Sequence, residues 1–173
     1  MNLSDLRDKV RHIEDIADRE VYAIMGHRMA GRTTALSSLA KRADDGFIDF
    51  LYVGITAAAA LVGARMAEMH SGVLRRSFTG VGSLALARRG SRPRVLLIDD
   101  WDTYRNQDRL VVTDFWGMTR PLITVVTLYP PIPITDKLVY APAKFSRWNA
   151  EIDDEEPPKW MYEVEPIIDD VSL

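Results

Sequence analysis

The sequence contains no cysteine and three histidines, His12, His27 and His70. The first absence excludes a disulfide framework, a thiolate zinc site, an iron–sulfur cluster and a cysteine nucleophile. No two of the histidines stand at helical metal-ligand spacing, which argues against a histidine metal centre. Long apolar runs are missing too. The longest, residues 57–64, is far shorter than the roughly 20 residues a membrane-spanning helix needs. The amino end opens polar and charged, with no apolar signal region. These absences predict a soluble, cytoplasmic protein without membrane contact.

What is present is ordinary in amount and uneven in placement. The 173 residues are 47% hydrophobic and 27% charged, enough for one domain that buries its own core. The net charge of −3 hides two unlike parts. Residues 1–150 hold 21 Lys/Arg against 16 Asp/Glu, and residues 151–173 hold one Lys against nine Asp/Glu. The expected organisation is therefore a folded domain over 1–150 and an acidic tail over 151–173, with Trp148 and Trp160 flanking the charged segment. Arginine outnumbers lysine 17 to 5, and seven arginines lie between Arg65 and Arg94 with one acid, Glu68. Guanidinium presents a planar fork that suits phosphate, so this stretch reads as a phosphate-contacting face or as a solvated one balanced by the tail.

Hydrophobic spacing predicts a helix over residues 3–19, with Ser4 as its cap. Short apolar runs at 21–25, 47–55, 94–98 and 122–128 predict buried strands. Helices are expected over 35–42 and, capped by Thr56, from 57 to about 70, with partial helix over 102–117. Residues 74–88 alternate loosely around Gly80 and Gly82, which suggests a hairpin. Beyond Pro131, prolines break up any long regular element. Strands alternating with helices predict an α/β fold, a mostly parallel sheet with helices on both faces. Ligands in such sheets sit beyond the carboxyl ends of the strands.

The loop Gly26-His27-Arg28-Met29-Ala30-Gly31-Arg32-Thr33-Thr34 follows a predicted strand and opens a predicted helix. It fits G-x-x-x-x-G-K-[ST], except that Arg32 stands where lysine is expected. Glycines let the main chain curl so that its N–H groups face phosphate oxygens, and the helix adds its positive end. The basic residue neutralises phosphate, and Thr33 offers a hydroxyl to magnesium. Arg32 is bulkier and planar, so three outcomes stand open: it does the lysine's work, Arg28 shares it, or the loop binds without turnover. About seventy residues on, four apolar residues lead into Asp99 and Asp100, the Walker B pattern. Asp99 is the expected magnesium ligand and Asp100 the residue that polarises water, with Asp102 in reserve. Thr127, at the end of the run 122–128, is the candidate sensor of the γ-phosphate.

Taken together these residues resemble the ATPase domain of viral DNA-packaging motors, the large terminase family. The resemblance spans residues 20–131. It rests on Arg28 four residues before Arg32, on the strand Phe47-Ile48-Asp49-Phe50-Leu51-Tyr52-Val53-Gly54-Ile55 with its alanine-rich helix, on a hairpin around Ser77-Phe78-Thr79-Gly80-Val81-Gly82-Ser83 before the acidic strand, and on Val125-Val126-Thr127-Leu128-Tyr129-Pro130 as a coupling motif. It implies a P-loop NTPase of the RecA/ASCE-like type: a viral, terminase-like hydrolase that binds ATP and Mg2+ and translocates or remodels double-stranded DNA in the host cytoplasm. Such motors are rings, which implies a homo-oligomer or a partner chain. An arginine acting on a neighbour's site, or on nucleic acid, would come from Arg75, Arg76, Arg88, Arg89, Arg92 or Arg94. The chain departs from the pattern at Arg32, at Asp100 where related ATPases carry glutamate, and in stopping where a nuclease domain would begin. Those departures keep a second reading open, a degenerate non-catalytic P-loop subunit. A small nucleotide kinase fits the length but lacks an acceptor-binding motif.

Overall fold

The computed structural model describes residues 1–69, 76–87, 92–129 and 137–143. Six strands form one sheet: β1 (Glu20–Met25), β2 (Phe50–Gly54), β3 (Phe78–Gly80), β4 (Val95–Ile98), β5 (Ile123–Leu128) and β6 (Val139–Pro142). Their order is β3-β2-β4-β5-β1-β6. All neighbours run parallel except β6, which lies antiparallel on β1. The expected α/β sheet is therefore the observed one.

Helices cover both faces, which explains why the central strands are apolar without alternation. On one face lie α1 (Leu3–Arg11), α2 (Arg32–Asp45) and α3 (Ala57–Met66). They bury Leu6, Val10, Leu36, Leu39 and Ala64 against Ile24, Tyr52, Leu97 and Val125. On the other face, α4 (Leu84–Ala87) and α5 (Asn106–Thr119) bring Leu84, Val112 and Phe115 onto Met25, Leu51, Leu96 and Val126.

Local chemistry sets the ends of these elements. α1 starts at a capping box: Asp5 N–H donates to Asn2 Oδ1 and Asn2 N–H to Asp5 Oδ2. Asn2 thus holds the place expected of Ser4, and a 3-10 turn at Ile13–Asp15 closes the segment. Thr56 Oγ1 caps α3 at Ala59 N–H, as expected. The run at 47–55 becomes a strand only from Phe50. Phe47 has φ 54°, and Ile48 N–H returns to Ala43 O, so both residues terminate α2.

The expected hairpin over 74–88 is not formed by the described residues. Phe78–Gly80 pairs parallel with β2, and a 3-10 turn then leads into α4. The reason is close approach: a Cβ on Gly80 would fall 2.5 Å from Ala57 N. The glycine lets β3 press against the start of α3, which sets a crossover and not a turn. β6 lies in the proline-broken region where no strand was expected. It is an edge strand ending in Pro142, where a missing N–H is tolerated. The tail 151–173 and both Trp148 and Trp160 lie outside the described residues.

Candidate functional site

The loop between β1 and α2 passes the ends of β4 and β5. Its two glycines serve different needs. A Cβ on Gly26 would lie 2.5 Å from Leu138 Cδ2, so the first keeps room for the lead-in to β6. Gly31 has open space around it but φ 98°, a left-handed turn that favours glycine. Met29 also has positive φ, at 64°, and is fully exposed. No side chain caps α2, so the N–H groups of its first turn are left to whatever fills the space before them.

That space is an open cleft of about 720 Å³. Arg28, Arg32, Thr33, Thr34 and Asp100 line it, together with Met66, Asp102, Thr103 and Tyr129. It lies beyond the carboxyl ends of β1, β4 and β5, where α/β sheets place ligands.

Asp99 is buried at the end of β4, with 6% of its surface exposed. Three hydroxyls converge on it. Thr33 Oγ1 donates to Oδ2 at 2.9 Å, Tyr52 Oη donates to the same oxygen at 2.9 Å, and Thr127 Oγ1 donates to Oδ1 at 2.6 Å. The residues come from four places in the chain, and the parallel register brings them together: Ile98 pairs with Val126, so Asp99 stands beside Thr127.

Asp100 adopts a left-handed conformation, φ 53° and ψ 46°, which aspartate tolerates better than most residues. Its N–H donates to Thr127 Oγ1 at 2.8 Å, and its carbonyl accepts from Thr103 Oγ1 at 2.7 Å. Its side chain accepts from Arg32 Nη2 at 3.0 Å. Burial pushes the Asp100 carboxyl above its ordinary value, and the neighbouring Asp99 charge adds to this. Arg32 opposes the shift.

Arg32 is itself buried, at 9% exposure, on the floor of the cleft. Its Nη1 lies 3.9 Å from Asp102 Oδ1 and makes no hydrogen bond. Asp102 Oδ1 also accepts from Tyr129 N–H at 3.1 Å, and Tyr129 Oη lies 3.1 Å from His27 Nδ1. The carboxylate thus links the loops after β1, β4 and β5.

The structure therefore gathers Arg28, Gly31, Arg32, Thr33, Thr34, Asp99, Asp100 and Thr127 at one end of the sheet. Arg28 is exposed at the mouth. Thr127 is fully buried, donates a hydrogen bond to Asp99 and accepts one from Asp100 N–H, so it meets the cleft through the two aspartates. Of the arginine pool, Arg76 and Arg92 are exposed. Arg94 precedes β4, at the opposite end of the sheet, and pairs with Glu14. Arg75, Arg88 and Arg89 lie outside the described residues. Sequence reasoning did not single out Tyr52, Met66 or Tyr129 as site residues. Tyr52 sits inside an apolar strand, and its one signal is a phenol two positions before the strand-ending Gly54.

Among the described residues, no cluster of three or more His, Asp or Glu could cage a metal by itself. Magnesium does not need such a cage. It takes oxygen ligands and is commonly held by one or two carboxylates, water and the substrate's phosphates. The Thr33 hydroxyl and Asp99 carboxylate, 2.9 Å apart at the cleft, are a donor set of that kind. Among the described residues no helix is long and apolar enough to cross a membrane.

No protein-family model matches the chain, and no curated protein matches it. Among solved structures the chain is similar to Pif1 of a Bacteroides species, crystallised in complex with ADP-AlF4. The identity is 15% and the TM-score 0.43, over 79% of this chain and 35% of that one. This chain thus spans about a third of the length of that structure.

Proposed function

We propose that the chain is a P-loop NTPase that binds ATP with magnesium in this cleft and hydrolyses it to move or remodel nucleic acid. The observation that carries the reading is the 2.9 Å hydrogen bond from Thr33, at the start of α2, to Asp99, at the end of β4. It brings a helix-opening hydroxyl and a buried carboxylate together beside an uncapped helix start and a buried guanidinium. Each of these groups suits a different part of a magnesium triphosphate.

Thr33 and Asp99 supply oxygens for magnesium, directly or through water. Magnesium, when bound, offsets charge on the phosphate oxygens. The first-turn amides of α2 donate to phosphate oxygens, and Arg32 supplies positive charge from below. A phosphate and Asp100 compete for the Arg32 guanidinium. When phosphate takes it, Asp100 is left to orient water and take its proton. The exposed arginines Arg76 and Arg92 are the candidates for contact with the phosphate backbone of nucleic acid. The packaging-motor type of action, on double-stranded DNA and in an oligomer, comes from the resemblance described above.

A second reading has one observation in its favour. The 3.0 Å pair between Arg32 and Asp100 occupies both the phosphate-binding cation and the water-orienting carboxylate. A subunit that binds nucleotide without turnover would keep that pair. Phosphate release, measured with and without magnesium and with and without duplex DNA, separates the two. The ATPase reading predicts magnesium-dependent release that DNA stimulates and Asp100→Ala abolishes. Release at background in both wild type and Asp100→Ala, with nucleotide still bound, establishes the non-catalytic subunit instead.

A further inference from the structure

We propose that Tyr52 is a positioning residue for the metal-binding carboxylate, its buried phenol holding Asp99 so that Oδ2 faces Thr33. The proposal rests on the magnesium-nucleotide reading of the cleft and names a residue that sets its metal affinity.

Asp99 is a buried carboxylate held by hydroxyls. The ion pairs of Arg32 go to Asp100 and Asp102 instead. Such a group depends on its hydrogen-bond donors for its aim. The three donors are not equivalent. Thr33 must turn its own oxygen toward magnesium if it becomes a ligand. Thr127 divides its hydroxyl between Asp99 and the Asp100 N–H, so it moves with the turn after β4. Tyr52 comes from β2, apart from both of these, and donates to the same Oδ2 that Thr33 contacts. It is the donor that stays in place when Thr33 changes role.

Its surroundings leave the phenol little freedom. Tyr52 is fully buried, and its ring stacks on Phe78 of β3 at 5.1 Å and 28°. Gly63 of α3 also lies against it, where a Cβ would overlap the ring Cζ and fall 2.5 Å from the hydroxyl. The glycine makes the slot the ring occupies, and Phe78 closes it. In the register, Tyr52 pairs with Leu97, two residues before Asp99 and on the same face, so the ring's length carries the hydroxyl to the strand end. Tyr104 shows the contrasting case: it is also buried, and its hydroxyl donates to a main-chain carbonyl, Val53 O, at 3.1 Å. Tyr52 directs its proton to the site carboxylate.

The test is Tyr52→Phe, which keeps the ring and removes the hydroxyl. Calorimetry with a non-hydrolysable ATP analogue reads two quantities in the full chain: the magnesium concentration at half-binding, and the affinity of the metal-free analogue. The magnesium midpoint is expected to rise about 10–100-fold, the usual effect of removing a partner of a metal ligand, with metal-free affinity unchanged. Phe78→Leu, which loosens the ring but keeps the hydroxyl, is expected to move the midpoint the same way by less, and it serves if Tyr52→Phe does not fold. An unchanged magnesium midpoint in the folded variants overturns the proposal, as does an equal loss of metal-free and magnesium-dependent affinity. If wild type itself shows no dependence on magnesium, the nucleotide reading of the cleft fails and takes this role of Tyr52 with it.

Discussion

Arg32 is where the chain departs furthest from the usual phosphate loop, and its surroundings say what the exchange does. A lysine is a single point of charge. A guanidinium is a fork that can hold a carboxylate with one arm and leave the other free. Arg32 does this: Nη2 bonds Asp100, while the buried Nη1 has no hydrogen-bond partner. Arg32→Gln is predicted to weaken binding of an ATP analogue by roughly 10–100-fold, the scale of one hydrogen bond to a charged group. Calorimetry checks this, and unchanged affinity means that the phosphates are held elsewhere. Asp100 gives a prediction with a sign in pH. Its carboxyl is raised by burial and by Asp99, so the ionised form is disfavoured in the folded chain. Below the unfolded carboxylate range the group is neutral in both states. Stability is lost as pH rises through the raised folded value. Asp100→Asn should therefore melt higher than wild type at pH 7, and the gain should fade as the pH falls toward about 4. Lower melting of the variant at pH 7 shows that the Arg32 ion pair outweighs burial.

At the level of elements, close approach decides what hydrophobic pattern does not. The strands β1, β2, β4 and β5 were legible because each is a continuous apolar run, as two-sided burial demands. β3 was not, because three residues make no run and its place is set by close packing at two glycines. Gly80 lies against Ala57, and a Cβ on Gly54 would fall 2.6 Å from Ala60 N. Gly80→Ala is predicted to cost about 1–3 kcal/mol in urea unfolding, since backbone must shift to admit the methyl. A loss near zero would mean that β3 can slide. β6 was hidden by the prolines that precede it in the sequence, and its antiparallel edge position is what permits Pro142. The site was legible in the same uneven way. Glycine spacing and paired acids marked Gly26–Thr34 and Asp99–Asp100, because that chemistry requires contiguous residues. Tyr52 gave no such mark. Its role depends on register between β2 and β4 and on the missing side chain at Gly63, and neither is a local property of the sequence.

For the whole molecule, the sheet separates two kinds of surface. The cleft opens at the carboxyl ends of the strands, and Arg94 with Glu14 lies at the other end. Exposed Arg76 and Arg92 belong to the arginine-rich stretch that the proposal assigns to nucleic acid. Binding of duplex DNA should fall steeply with salt, and the double variant Arg76→Ala with Arg92→Ala should reduce the slope of log affinity against log salt by up to about 2. A slope that the double variant leaves unaltered removes these two arginines from the interface. All of this depends on whether the cleft grips a triphosphate through magnesium. The most direct measurement is calorimetric titration of wild type, Thr33→Ala and Asp99→Asn with a non-hydrolysable ATP analogue, each with magnesium and with chelator. The account predicts binding by wild type that magnesium strengthens, and loss of that strengthening in both variants. Equal binding by all three proteins, or a wild type indifferent to magnesium, contradicts it.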